Sequence, residues 1–290
     1  MIKHLVVIGA GLIGGSFALA LRRKGLVERV TGVGRGRANL EHARKLGVID
    51  AIGDDAASAI RDADLVFAAI PVGAMPAMFR EIAPALPVGA ILTDAGSTKR
   101  DVIAAARAAL GDKISQFVPG HPIAGAETNG AGAAHAHLFE GKPVILTPLP
   151  ENRTADVDQV ESLWQACAAR VARMPEKDHD RVFAAVSHLP HLAAFALMEE
   201  LADRPDANMF FQFAGTGFRD FTRIAGSHPE MWRDISIANR DALLGELDTY
   251  IDKLEAIRGM IEARDGQALE DLFARARKAR QNWIKGKPHE

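Results

Sequence analysis

A glycine-rich turn between an apolar run and a helical pattern most constrains the fold of this chain. Residues 5–8 form an uncharged, mostly β-branched run, which is typical of a parallel strand buried on both faces. The turn Gly9-Ala10-Gly11-Leu12-Ile13-Gly14 follows at once, and apolar residues then recur at helical spacing at Ile13, Phe17 and Leu21. The sequence therefore predicts a strand, a tight turn and a helix as the first unit of the fold.

Further strand-like runs alternate with alanine-rich helical stretches through the first half of the chain. These runs and stretches occupy, in order, residues 29–33, 39–46, 64–70, 90–94, 99–110 and 116–118. Alternating strands and helices form parallel sheets with helices on both faces. We therefore predict an α/β fold, with a Rossmann-type doubly wound parallel sheet in a domain of residues 1–172.

The second half of the chain has a different pattern. Beyond residue 172 the strand signals stop, and helical patterns cover residues 178–204, 229–263 and 267–283. The first of these is apolar nearly all round, and Pro190 predicts a kink within it. Because a helix that is apolar on every side has to be surrounded, we predict that residues 173–290 form an all-helical domain that buries this helix in a homodimer.

The charge balance and the single cysteine restrict the class of partner and the compartment. The 290 residues include 35 Lys and Arg against 37 Asp and Glu, a net charge of −2. Nucleic acid and anionic membranes are bound through a large excess of Lys and Arg, so a small molecule is the expected partner. Cys167 is the only cysteine, which fits a reducing cytoplasm, and it lies in an apolar helical pattern that favours packing over nucleophilic chemistry.

The glycine motif predicts a dinucleotide site because it follows a buried strand and opens a helix. In this context Gly9 permits the tight turn, Gly11 lets the backbone approach a pyrophosphate, and Gly14 lets the helix and strand pack closely. The free N–H groups of the helix start meet the phosphate charge. Leu12 and Ile13 lie within the same turn, and we include them in the predicted cofactor site.

The end of the second strand indicates which dinucleotide binds. An NAD site usually carries Asp or Glu about 20 residues after the glycine motif, to hold the ribose 2′-hydroxyl. This chain has Gly34, Arg35 and, shortly after, Arg37. A guanidinium pairs with a 2′-phosphate, so NADP is favoured over NAD, with stacking of Arg35 on the adenine as the alternative.

Unusual residues follow three of the predicted strands. Pro71 follows one strand, Ser97 lies in the segment after the next, and His121 lies in a loop after a third. Ligands of such sheets bind outside the carboxyl ends of the strands, so we expect Ser97 and His121 to converge on the nicotinamide. A histidine in that position suits the role of base for an alcohol proton, and the alternative is a structural loop histidine.

Several motifs carry a resemblance to a known family. They are Gly-Ala-Gly-Leu-Ile-Gly-Gly-Ser at the first turn, Asp-Ala-Gly-Ser-Thr-Lys at 94–99, Gly-His-Pro-Ile-Ala-Gly-Ala-Glu at 120–127, Ser-His-Leu-Pro-His at 187–191, and Phe-Arg-Asp-Phe-Thr-Arg-Ile-Ala at 218–225. In this order, over residues 2–285, the chain resembles the prephenate/arogenate (cyclohexadienyl) dehydrogenase family of tyrosine biosynthesis.

The resemblance implies an oxidative decarboxylation. A hydride passes from the ring carbon that bears the hydroxyl to the nicotinamide, His121 accepts the hydroxyl proton, and Ser97 hydrogen-bonds the same oxygen. Loss of CO2 then gives 4-hydroxyphenylpyruvate from prephenate or tyrosine from arogenate, and the sequence does not choose between these substrates. The resemblance also implies Arg223 as a carboxylate anchor and His188 and Trp232 as pocket residues, with a core position as the alternative for Trp232.

Other readings of the same residues stay open at this point. His188 and His191 lie three apart on one helical face, but without a third ligand at suitable spacing we predict no metal site. Lys99 is expected to begin a helix and to face phosphate or solvent, and Glu127 has no assigned role. The rival functions are a β-hydroxyacid dehydrogenase or imine reductase, and a non-catalytic NADP-sensing module.

Overall fold

The computed structural model describes residues 1–125 and 130–286, so Glu127 lies outside the described residues. Two sheets are present in the described part: a six-stranded parallel sheet in the order β3-β2-β1-β4-β5-β6 and a three-stranded sheet in the order β7-β8-β9. The strands are β1 (Ile2–Ile8), β2 (Val27–Val33), β3 (Ala51–Ile52), β4 (Leu65–Ala68), β5 (Ile91–Asp94), β6 (Phe117–Val118), β7 (Gly120–Pro122), β8 (Pro143–Leu146) and β9 (Arg170–Arg173).

Helices pack on both faces of the large sheet, and in the described residues after β9 they are the regular elements present. They are α1 (Leu12–Arg23), α2 (Arg37–Lys45), α3 (Ala56–Ala59), α4 (Met75–Ile82), α5 (Arg100–Leu110), α6 (Thr154–Ala166), α7 (Glu176–Phe183), α8 (Leu189–Ala202), α9 (Ala207–Gln212), α10 (Thr216–Thr222), α11 (Pro229–Ala238), α12 (Arg240–Glu262) and α13 (Gly266–Lys285).

Strand β1 lies in the centre of the large sheet because its side chains are apolar on both faces. Leu5 and Val7 point into one core, which also holds Trp164, and Val6 and Ile8 point into the other. All four are buried, and the strand pairs in parallel with β2 and β4. A continuous apolar run is required here, since neither face of the strand meets water.

The observed fold confirms the predicted doubly wound parallel sheet, whose central strands all come from the predicted runs. The strands β3, β7, β8 and β9 were not predicted. Strand β9 is the least visible, because both of its arginines, Arg170 and Arg173, are exposed. Strand β7 follows β6 after Pro119 alone and pairs antiparallel with β8, so the chain passes from the large sheet to the small one at this residue.

The helical second half is confirmed, with two differences in its detail. The predicted helix 178–204 is α7 and α8 joined by a π-helical segment, Ala184–His188, and Pro190 lies in the first turn of α8. The predicted helix 229–263 is interrupted at Asn239, where α11 ends and α12 follows. Asn239 is buried and uses its side chain to bind other helices, a tertiary contact that the periodic pattern does not reveal.

By its internal contacts the chain divides into two compact units, Met1–Arg240 and Asp241–Glu290. The first contains both sheets and every helix through α11. The second contains α13 and all of α12 except its first residue, and Asp265 caps α13 by accepting a hydrogen bond from the Ala268 N–H at 2.9 Å. The predicted domain boundary between residues 172 and 173 stays a prediction.

One helical segment in the described residues, Glu176–Ala202, passes a test for membrane-spanning length and composition. Only 22% of its most apolar window is buried. The core helix of a soluble protein passes the same test, so the result by itself is weak evidence for a membrane span.

Candidate active site

The glycine-rich turn has the conformation and the free space that a bound phosphate requires. Gly9 has φ of +99°, and a Cβ there would lie 2.3 Å from the carbonyl oxygen of Ala69. A Cβ on Gly14 would lie 2.3 Å from the Gly9 carbonyl oxygen, so this glycine permits close packing of α1 on the turn. Gly11 caps α1 and has open space where a Cβ would be. The turn therefore fits a pyrophosphate held at a helix N-terminus.

A cavity of about 670 Å³ extends from this turn along the ends of β1 and β2. Arg35 lies on its wall with its side chain 79% exposed, and its guanidinium is 3.8 Å from the Glu230 carboxylate. Two acidic residues on the same wall already bind backbone: Asp55 accepts from the Ser58 N–H and Glu81 from the Ala56 N–H. Asp54 also lines this cavity, and among its described lining residues Arg35 is the one with a cationic side chain.

A second cavity, of about 360 Å³, adjoins the first at the glycine turn. The two share Gly11, Ala69, Ile70 and Pro71. The second is also lined by residues from the ends of β5 and β7 and from helix α11: Ser97, His121, Met231 and Ile235. The structure therefore places Ser97 and His121 together beside the turn, as the sequence predicted, although His121 lies in strand β7 and not in a loop.

His121 is held from behind by a hydrogen-bonded chain of buried side chains. Its Nδ1 lies 2.8 Å from Nε2 of His179, and Nδ1 of His179 lies 2.8 Å from the Asp180 carboxylate. Burial lowers the pKa of His121 well below its ordinary value of 6.5, and the nearby groups His179, Lys99 and His188 lower it further. His121 is therefore neutral at neutral pH and keeps a lone pair with which to accept a proton.

Lys99 has a different environment from the predicted one. It does precede helix α5, but its side chain is fully buried and faces neither phosphate nor solvent. Its ammonium group donates to the Asp94 carboxylate and to the Gly120 carbonyl oxygen. Asp94 also accepts from the Gly120 N–H at 2.9 Å. The ion pair therefore fixes the residue before His121, an arrangement that the periodic pattern of a helix start does not reveal.

His188 lies in the buried interior behind the second cavity. Its Nδ1 is 3.1 Å from the side-chain nitrogen of Asn239, which also donates to the Asp180 carbonyl oxygen. Burial lowers the pKa of His188 to about 4, although the Asp180 carboxylate and the Ser97 backbone oppose this shift. His188 is therefore a neutral, fixed side chain adjacent to the Ser97 segment.

The three residues predicted to bind substrate are His188, Trp232 and Arg223. They lie near one another but outside the lining of the two described cavities. Trp232 is buried in the core and stacks on His191 with ring centroids 3.6 Å apart. Arg223 is exposed, and its charge helps to lower the pKa of His191. Among the described residues no group of His, Cys, Asp and Glu is arranged to hold a metal ion.

Comparisons with known proteins decide the family. The family model "Prephenate dehydrogenase, nucleotide-binding domain" matches residues 17–173, and "Prephenate dehydrogenase, dimerization domain" matches residues 175–275. The chain belongs to the prephenate dehydrogenase family. Cyclohexadienyl dehydrogenase of Zymomonas mobilis subsp. mobilis is 36% identical over 280 residues, which is 96% of this chain and 95% of that relative.

Two solved structures of the family have the same fold over nearly the whole chain. Prephenate dehydrogenase from A. aeolicus, in complex with hydroxyphenyl propionate and NAD+, matches with a TM-score of 0.90 and 32% identity over 97% of this chain and 98% of that chain. Synechocystis arogenate dehydrogenase matches with a TM-score of 0.80 and 28% identity over 97% and 100%. Membership of the prephenate dehydrogenase family confirms the resemblance, and the rival readings are not favoured.

Several residues around His121 in this prephenate dehydrogenase family member were missed from the sequence. His179, Asp180 and Asn239 all lie in segments that the sequence predicts as continuous helix, and Met231 and Ile235 fit an ordinary apolar helix face. The pair His179-Asp180 gives no signal in the sequence, because it lies among the charged residues Lys177, Asp178 and Arg181 at the polar start of α7. Cys167 is buried as predicted, and burial raises its pKa to about 12, which leaves it unreactive.

Proposed function

We propose that this protein is an NAD(P)-dependent dehydrogenase that oxidatively decarboxylates a cyclohexadienyl substrate, either prephenate or arogenate. The observation that carries the proposal is the position of His121. It is a neutral, buried histidine that lines the same cavity as the glycine turn and Ser97. A proton acceptor and a hydroxyl group next to a dinucleotide-binding turn are what the oxidation of an alcohol carbon requires.

The residues of this chain divide the reaction between them. Nδ1 of His121 is engaged by His179, so Nε2 is the nitrogen available to take the proton of the ring hydroxyl. Ser97 donates a hydrogen bond to the same oxygen and orients it. A nicotinamide held beside the glycine turn would supply the acceptor for the hydride of the carbon that bears this oxygen. The ring carboxylate leaves as CO2 and its bonding electrons complete the aromatic ring, so the chain needs no metal to drive the step.

The substrate carboxylates call for a cation, and Arg223 is the proposed anchor. A guanidinium binds a carboxylate through two hydrogen bonds and keeps its charge in all relevant conditions. The turn that contains it, Arg223–Gly226, packs against helix α8, which carries His191. We propose His188 and Trp232 as residues that shape the pocket from behind, because both are buried and their rings meet edge to face at 6.1 Å.

The proposed cofactor is NADP, with NAD as the alternative. Gly9, Gly11, Leu12, Ile13, Gly14 and Pro71 hold the pyrophosphate and nicotinamide ends of the cofactor, and Arg35 receives the 2′-phosphate. Support comes from the strand end, which offers Arg35 in place of a carboxylate, and from the exposure of that guanidinium in the large cavity.

We propose that the protein acts as a homodimer in the cytoplasm, without nucleic acid or membrane partners. The second family model is described as a dimerization domain, and the two models meet near the predicted boundary at residue 172. The apolar segment Glu176–Ala202 contains His179, Asp180 and His188, whose polar groups bind other parts of the protein. Such bonds favour a place in a protein interior over a membrane span.

A substitution of His121 tests the assigned base. Because a general base contributes roughly two to four powers of ten, His121→Ala is expected to lower kcat with prephenate or arogenate at least a hundredfold. The dissociation constant for the nucleotide should change little. His137→Ala, at an exposed histidine, is the control. A loss below tenfold, or nucleotide binding by wild type without CO2 release from either substrate, contradicts the proposal.

A charge reversal at Arg35 tests the cofactor. Arg35→Asp removes the partner of the 2′-phosphate and adds a carboxylate for the ribose hydroxyl, so the ratio of kcat/KM for NADP+ over NAD+ is expected to fall below one. Arg44→Asp makes the same charge change on the exposed surface of α2 and should leave the ratio as it is in wild type. An unchanged ratio in Arg35→Asp contradicts the assignment of Arg35.

A further inference from the structure

The side chains behind His121 form a hydrogen-bonded chain, and Asp180 fixes the direction in which hydrogen bonds are donated along it. The Asp180 carboxylate accepts hydrogen bonds from the backbone N–H groups of Lys99 at 2.8 Å and Arg100 at 2.9 Å. These bonds and the contact with His179 lower the pKa of Asp180 despite its burial. An ionised carboxylate has no proton to donate. In the 2.8 Å contact with His179, therefore, Nδ1 of His179 carries the proton and donates it.

The protonation of His179 in turn determines which nitrogen donates in its contact with His121. Each neutral imidazole has one N–H and one lone pair, so His179, protonated at Nδ1, offers a lone pair at Nε2. The 2.8 Å contact between Nε2 of His179 and Nδ1 of His121 needs one donor and one acceptor. The donor in this contact is Nδ1 of His121, and its lone pair is consequently at Nε2, the nitrogen left for the cavity.

We propose that His179 and Asp180 are positioning residues that hold His121 in the Nδ1–H tautomer, with the Nε2 lone pair directed to the substrate. This inference rests on the proposed function, because it explains how that function obtains its base. Without the acceptor at His179 the ring of His121 is free to protonate at Nε2, and that tautomer cannot take a proton from the substrate. A misdirected tautomer is costly in other enzymes that use a carboxylate behind a histidine.

Among the described residues, the groups that surround His121 and His179 offer no competing hydrogen-bond partner for their ring nitrogens. The Phe183 ring packs against both imidazoles, with centroids 4.9 Å from His121 and 4.5 Å from His179. The Lys99 ammonium is engaged by Asp94 and the Gly120 carbonyl oxygen. Asp101, whose pKa is raised by burial, and His188 complete the nearby titratable groups. An apolar ring and a paired cation confine both histidines and disfavour their charged forms.

Two substitutions at His179 separate this role from simple packing. In His179→Gln the side-chain amide can donate its NH2 to Asp180 and present its oxygen to Nδ1–H of His121, which preserves the direction of the chain. In His179→Leu the acceptor is lost and the volume is largely kept. We expect kcat to fall at least tenfold in His179→Leu and less than fivefold in His179→Gln, with the KM for the nucleotide unchanged in both. A tenfold loss is part of the contribution of a general base, because a base in the wrong tautomer cannot accept the proton.

A direct measurement of the tautomer completes the test and does not depend on turnover. Protein labelled with ¹⁵N at its ten histidines is observed by NMR through the ring nitrogens, and His121 signals are assigned by their absence in His121→Ala. We expect protonated Nδ1 and unprotonated Nε2 at both His121 and His179 in wild type, and loss of this preference at His121 in His179→Leu. If wild type turns over neither substrate, the proposed function fails while the tautomer assignment is still read.

Three results overturn the proposal. One is an Nε2–H tautomer for His121 in wild type. Another is a His179→Leu enzyme with kcat within twofold of wild type. The third is a His179→Gln enzyme as slow as His179→Leu, since a merely structural histidine gives no reason for an amide to restore activity. If His179→Leu does not fold, the NMR assignment and His179→Gln decide the question.

Discussion

His188 shows how one buried residue couples the stability of the protein to pH. Its pKa in the folded state is about 4, against 6.5 in the unfolded chain. Between these values the unfolded state binds the extra proton, so the free energy of unfolding falls as the pH drops from 6.5 towards 4. The difference between these two pKa values corresponds to a free energy of unfolding on the order of 3 kcal/mol.

The measurement for His188 is urea unfolding at pH 7 and at pH 4.5. We expect His188→Gln, which keeps a polar contact to Asn239 but does not titrate, to lose less stability over this interval than wild type. His137→Gln controls for the removal of a histidine as such, because that side chain is exposed. Equal losses in wild type and His188→Gln would show that His188 is not the buried neutral group described here.

The sequence predicted the residues that reach the cavity better than those that support them. Ser97 and His121 were found because they follow strands of a parallel sheet, and this topology fixes where they point. Lys99 was misplaced because a helix start is ordinarily solvated, whereas here Asp94 and the Gly120 carbonyl oxygen draw it inside. His179 was missed because its partner, His121, is 58 residues away in the chain. Spacing along one helix does not encode such a contact.

At the scale of elements, the unit formed by β1, the glycine turn and α1 separates folding from binding. A Cβ at Gly14 would lie 2.3 Å from the Gly9 carbonyl oxygen and 2.6 Å from Cγ1 of Val7. We expect Gly14→Ala to lower the free energy of unfolding by about 2 kcal/mol or more, since α1 has to move away from the turn.

Gly11→Ala provides the matched variant in the same turn. Gly11 has φ of −98°, which alanine adopts without strain, and its Cβ would meet open space. The free energy of unfolding should change by less than about 1 kcal/mol. The dissociation constant for the nucleotide should rise at least tenfold, because the methyl group occupies the approach of the pyrophosphate. Chemical unfolding and nucleotide titration of both variants test this, and tight binding by Gly11→Ala would contradict it.

The elements that the sequence revealed and those it concealed differ in burial and in range of contact. Strands β1 and β4 are buried on both faces, so their apolar runs are unambiguous. Strand β9 pairs on one side and exposes its arginines, which leaves no run to recognise. The end of α11 at Asn239 is set by bonds to Asp180 and His188, residues of other helices. Local propensity continues the helix there, and tertiary contacts interrupt it.

At the scale of the whole molecule, a net charge of −2 is compatible with anionic ligands because the cations are placed locally. Arg35 stands at one end of the large cavity, and Arg223 lies beside His191. A net charge close to zero therefore argues against polyanionic partners but not against small anionic ligands. The same distinction explains why composition predicted the class of partner but not its identity, which depends on a few side chains.

The assembly of the whole molecule is the last property that the structure allows us to predict. Four large apolar side chains of α12 are exposed, Leu244, Ile251, Leu254 and Ile261, and their spacing of seven, three and seven places them along one face of the helix. A face of this kind favours a partner copy, so sedimentation at micromolar concentration should give about twice the chain mass of 31.1 kDa. The pair Ile251→Glu and Leu254→Glu should yield a monomer, since two carboxylates disfavour burial. Lys253→Glu, at an exposed polar position of α12, should stay dimeric, and a wild-type monomer would exclude the proposed assembly.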